Sequence, residues 1–185
     1  MKLTTTLNNI KSHNPCKWGW EKLLRYLDKT QSDDDPLDFK TILESNGLND
    51  ALWCFRSLKG HDREIRLYAV WCARQVEYLD KSGVAKATND ISERFANRLA
   101  TNRELKSASD AARDATGDVT WATYAATWAT YAATWAACAA ARATCAATWA
   151  ACAAAWAACA AARAAGDDAR DAQEQQFIKM FCTED

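Results

Sequence analysis

A chain of 185 residues with 23 Lys and Arg against 24 Asp and Glu, net charge −1, lacks the cationic footprint that duplex nucleic acid selects. Hydrophobic residues make up 49%, with nine tryptophans and eight cysteines. The opening MKLTTTLNNIKSHNP does not read as a secretory leader and there is no Cys-x-x-Cys spacing for zinc, so the cysteines are expected to be small apolar residues of a cytoplasmic protein.

Asn14-Pro15 predicts a helix start, with Asn as cap and Pro at the first helical position. That helix runs from Cys16 to about Asp28 and buries Trp20, Leu23, Leu24 and Leu27. TQSDDDP, Thr30–Pro36, is an acidic loop. A short helix follows from Leu37 to Ser45, with Gly47 as its stop. Asn49 or Asp50 caps the next, ALWCFRSL, which ends at Gly60. Asp62 caps a strongly amphipathic helix in which Ile65, Tyr68, Ala69, Cys72, Val76 and Leu79 recur on one face, ended by Gly83. Its Arg63, Arg66 and Arg74 read as the wet face; Arg66 and Arg74 are buried only if they pair with carboxylates. A helix from Val84 to about Arg98 turns Ile91, Phe95 and Leu99 inward, and Thr101–Glu104 has the form of a capping box. No strand alternation stands out, so the fold class is all-α. Residues 1–115 form a compact helical domain, 116–166 an Ala-rich heptad-repeat helix, and 167–185 a charged C-terminal helix and tail.

From Val119 to Gly166 the chain repeats every seven residues: TWATYAA, TWATYAA, TWAACAA, ARATCAA, TWAACAA, AWAACAA, ARAAGDD. Trp121, Trp128, Trp135, Trp149 and Trp156 share one heptad position with Arg142 and Arg163. Three residues later come Tyr124, Tyr131, Cys138, Cys145, Cys152 and Cys159. Alanine is the strongest helix former, and an unbroken helix from Val119 to Ala165 would be roughly 70 Å long. Cysteines one heptad apart would be about 10 Å apart along its axis, too far for a disulfide. A strict heptad keeps one stripe against a partner in a left-handed supercoil, and an uncovered row of indoles would exceed the apolar patch a monomer tolerates. The seam Trp121, Tyr124, Trp128, Tyr131, Trp135, Arg142, Trp149, Trp156, Arg163 is therefore expected to pack in a coiled-coil-like or bundle homo-oligomer. On that seam the arginines set register, or they form sites where an anion or nucleotide sits between indoles. A membrane span is not expected, because Ala and Thr are barely apolar and Arg142 lies mid-segment.

No catalytic set is evident. His61-Asp62-Arg63 is explained by helix capping, Asp33–Asp35 by a solvated loop, and no phosphate loop or nucleophile elbow is present. No cofactor or metal is expected, and the chain is read as a non-enzyme.

DREIRLYAVWCARQV at Asp62–Val76, with Arg66, Ala69, Cys72 and Ala73, followed by SERFANRLATNRELKSASDAARDA at Ser92–Ala115, resembles the fifth numbered family of immunity proteins of bacterial polymorphic-toxin systems. The chain is also similar to uncharacterised phage and prophage proteins with variable numbers of Ala/Trp heptads. The N-terminal helices and the regularity of the heptads depart from that family. The resemblance implies a non-enzymatic protein that binds and neutralises a target in bacterial or phage defence conflict, in the bacterial or host cytoplasm. The expected partners are another copy of the chain and either a protein target or a small nucleotide. The alternatives are an oligomeric sponge for a nucleotide immune signal and a coiled-coil scaffold.

Overall fold

A computed structural model describes residues 2–75, 77–79, 83–116 and 167–183. The heptad repeat lies outside the described residues. Eight α-helices carry most of what is described: α1 (Leu7–Ser12), α2 (Lys17–Tyr26), α3 (Phe39–Asn46), α4 (Leu48–Cys54), α5 (Asp62–Arg74), α6 (Val84–Ala96), α7 (Asn102–Thr116) and α8 (Asp167–Phe181). Two 3₁₀ turns, Phe55–Ser57 and Glu77–Leu79, follow α4 and α5.

The expectation of a helical fold holds, with one addition. β1 (Thr4–Thr5) pairs antiparallel with β2 (Leu37–Asp38), Thr4 opposite Asp38 and Thr5 opposite Leu37. Lys2 bridges Cys182, and the Leu3 N–H donates to the Phe181 carbonyl at 2.9 Å. These ties seat the N-terminal residues so that Leu3, Leu7 and Ile10 enter the core. No alternating pattern announced strands of two residues each.

The centre of the core is aromatic. Phe39, Phe55, Tyr68, Phe177 and Phe181 are almost wholly buried. The Phe55 ring lies 5.3 Å from Phe39, 5.4 Å from Phe177 and 4.8 Å from Phe181, with stacked and edge-on geometry. Such pairs gain beyond the area they bury. Two of these rings come from α8, which packs on α5 and α3; the Tyr68 hydroxyl also donates to the Gln173 carbonyl at 3.1 Å. The C-terminal helix is thus part of the body that residues 2–75 build.

Several boundaries differ from the sequence expectation. Asn14 adopts a positive φ of 54°, and the cap of α2 is Cys16, whose sulfur accepts the Gly19 N–H. In α2 only Leu23 of the expected apolar residues is fully buried; Trp20, Leu24 and Leu27 pack against the core in part. Asp38 caps α3, accepting the Thr41 N–H at 2.7 Å, because Leu37 is committed to the strand pair. Gly47, at φ 87°, both ends α3 and precedes α4, leaving Asn49 and Asp50 inside α4. His61 occupies the cap of α5 and Asp62 its first turn, where a carboxylate complements the helix dipole. That helix stops at Arg74, and Gly83 instead starts α6, at φ 78°. Ile65, Tyr68, Ala69 and Cys72 form the buried face of α5 as expected. Val76 lies outside the described residues. Leu99 is 67% exposed, because α6 ends at Ala96 and Arg98 turns the chain at φ 60°.

α7 packs on α6 and α6 on α5. Among the described residues, the apolar cluster of this second layer is Leu105, with Ile91 and Phe95 half-buried against it.

Candidate functional site

The residues expected to form the functional seam, Trp121, Tyr124, Trp128, Tyr131, Trp135, Arg142, Trp149, Trp156 and Arg163, all lie outside the described residues. Their flanks do not. Ser109 of α7 and Gln173 of α8 are 2% and 8% exposed, so the chain enters and leaves the repeat from helices built into one body.

Among the described residues, the α5–α6–α7 layer is the most polar part of the interior. Thr88, Asn89 and Ser92 of α6 and Ser109 of α7 are buried. The Asn89 amide donates to Glu77 at 3.0 Å, while Asn89 Oδ1 and Ser92 Oγ are enclosed without a hydrogen-bond partner. Arg74, read from the sequence as part of the wet face, is partly buried and pairs with Glu77 at 3.3 Å, Asp90 at 2.8 Å, and Glu93. Partial burial works against its charge, but the hydrogen bonds to Glu93 and Asp90 outweigh that and raise its pKa. Arg66 is 7% exposed, with its guanidinium 4.9 Å from the Phe95 ring centre. Burial lowers its pKa, and the charge of Asp62 offsets this in part. The Thr101–Glu104 capping box forms as expected: the Glu104 N–H donates to Thr101 Oγ1 at 3.3 Å, and the Thr101 N–H donates to the Glu104 carboxylate at 2.7 Å.

The acidic loop has a structural explanation. Lys29 bonds Asp33 and reaches Asp35 at 2.9 Å. The Lys29 hydrogen bond holds the Asp33 carboxyl below its ordinary range. No group of His, Cys, Asp and Glu suited to a metal occurs among the described residues. Nor is any helix among them long and apolar enough to cross a membrane.

Sequence reading missed a cavity of about 150 Å³ where α2, α3 and α4 meet. Ile10, Pro15, Trp20, Leu23, Ile42 and Trp53 form its apolar wall, and Cys16, Gly19, Asn46, Asp50 and Cys54 complete it. The Asn46 amide donates to Asp50 at 2.7 Å and to the Gly19 carbonyl at 2.9 Å. The Arg56 guanidinium lies 4.1 Å from the Trp53 ring centre. Burial, and then the Asp50 charge, push the Cys54 thiol far above its ordinary range, so this sulfur is an inert part of the wall. Cys16, Gly19 and Trp20 are close together in the sequence, but nothing in their spacing marked a site. Asn46, Asp50, Trp53 and Cys54 lie 26 or more positions beyond Trp20.

No protein-family model, no curated protein and no solved structure matches this chain.

Proposed function

We propose that this chain is a non-enzymatic helical binding protein that self-associates through its heptad repeat and blocks a protein target in the cytoplasm, in bacterial or phage defence conflict. The observation that carries this is the row of five tryptophans on one heptad position, set between two helices held in one body. Fully covering an indole removes on the order of 150–250 Å² from water. That is worth up to several kcal/mol per residue at about 25 cal/mol per Å². A surface that supplies such cover is what the repeat needs.

The anchoring of both flanks limits how the repeat reaches that surface. A straight helix from Ser109 to Gln173 would be about 95 Å long, whereas a body of this size has a radius of gyration of about 14 Å. An unbroken straight helix over the whole repeat does not fit between flanks held in one body. The indoles are to be covered by other residues of the chain, by a second copy of it, or by the target. Light scattering on the purified chain, combined with co-purification from the native host, tests the reading. A dimer or larger assembly that retains a stoichiometric protein partner is expected. A monomer with fully wet indole fluorescence and no protein partner refutes it.

Arg142 and Arg163 on the tryptophan row favour a second reading, an oligomer that sequesters a nucleotide signal between indole and guanidinium. Thermal shift against cyclic nucleotides and ADP-ribose derivatives separates the two: stabilisation supports the sponge, and a flat response across the panel removes it.

A further inference from the structure

We infer that the cavity between α2, α3 and α4 is a binding site for a small organic cation. Asp50 holds the charged end, and Trp20, Trp53 and the aliphatic wall hold the alkyl part. Asp50 is half-buried in a wall that is otherwise largely apolar. Among the described residues its carboxylate accepts one hydrogen bond, from Asn46, and faces no cation within ion-pair distance. A carboxylate so placed favours a cationic occupant over an anion, which it repels, and over a neutral molecule, which leaves it unpaired. The indoles add a second attraction for the same charge, since aromatic faces draw cations. Trp53 already carries the Arg56 guanidinium at 4.1 Å, which takes up one face of that ring, so Asp50 is the group that draws the cation.

Gly19 keeps the space open. It sits inside α2, where glycine is the weaker helix former, yet a Cβ there would stand 2.9 Å from Asp50 Oδ2 and 3.2 Å from Cys16 Sγ. Space at the cavity wall accounts for the glycine. A volume of about 150 Å³ suits a compact alkylammonium, and the lining shares no residue with the repeat, so this site is independent of the function proposed there.

The test is titration of the full chain with choline and with its uncharged isostere 3,3-dimethyl-1-butanol. Binding is read by calorimetry and by the indole N–H resonances of Trp20 and Trp53. Choline is expected to bind with a dissociation constant on the order of 1 mM, and the isostere at least about tenfold more weakly. Asp50→Asn should erase that preference, and Gly19→Ala should abolish binding of both, with circular dichroism checking that each variant is folded. Equal binding of the two probes to the wild-type chain overturns the assignment whatever the variants do. So does the absence of any choline-dependent shift at either indole.

Discussion

Replacing Phe177 by alanine tests whether the C-terminal helix is part of the body. The ring is fully buried, at 5.4 Å from Phe55, 6.0 Å from Tyr68, 6.4 Å from Phe39 and 5.3 Å from Phe181 between centroids. Deletion removes its transfer free energy and leaves a void that four rigid rings cannot close, so the upper half of the usual range for Phe→Ala, about 4–5 kcal/mol, is expected. That is about three orders of magnitude in the folded-to-unfolded ratio. At about 2–4 °C per kcal/mol for a chain of this size, the midpoint falls by roughly 8–20 °C. Urea denaturation followed by circular dichroism measures the loss, with Lys179→Ala as control. Lys179 is exposed on the same helix, and such surface changes stay within about 0.5 kcal/mol. If Phe177→Ala is no more destabilising than Lys179→Ala, α8 does not complete the core.

The Lys29–Asp33–Asp35 cluster gives a pH window. Hydrogen bonding to Lys29 lowers the Asp33 pKa from 3.8; its contribution is complete above that value and is lost as pH falls through the depressed one. Asp33 and Asp35 raise the Lys29 pKa from 10.5, so its contribution is complete below that value and is lost as pH rises through the elevated one. Carboxyl NMR titration should place Asp33 below 3.8 in the wild type and return it to the ordinary range in Lys29→Met; equal midpoints would refute the pairing. Iodoacetamide followed by peptide mapping should label the exposed Cys16 before the buried Cys54 and Cys72, and simultaneous labelling would contradict the packing of α4 and α5. In hydrogen exchange, α6 and α7 should open well before α5 and α8, because Leu105 is the fully buried centre of their small apolar cluster and buried polar atoms beside it lack partners. Uniform protection across the four helices would show that this layer is not the weaker one.

The sequence made some features legible because their causes are local. The Thr101–Glu104 capping box and the positive-φ stop at Gly47 depend on a few neighbouring residues. The apolar face of α5 repeats often enough to stand above the noise. What was hidden depends on distant partners. Phe177 and Phe181 form a single i, i+4 pair in a stretch rich in Asp, Gln and Glu, and their weight in the core comes from Phe39, Phe55 and Tyr68. Leu3, Leu7 and Ile10 are separated by polar residues and become core only through the β1–β2 pair and the Lys2–Cys182 bridge. Leu99 was placed inward by periodicity that continued past the true end of α6. The cavity draws on four helices and on the loop before α2, and no spacing within one of them encodes it.

Because two rings of the aromatic centre, Phe177 and Phe181, follow the repeat in the chain, the ribosome makes every heptad before the body can close. Loss or gain of whole heptads leaves α8 in frame and the body able to finish. A frameshift or a premature stop within the repeat deletes both rings and yields a chain with an open interior, ready for proteolysis. The fold thereby requires that the repeat be read through in frame, whatever number of heptads it holds.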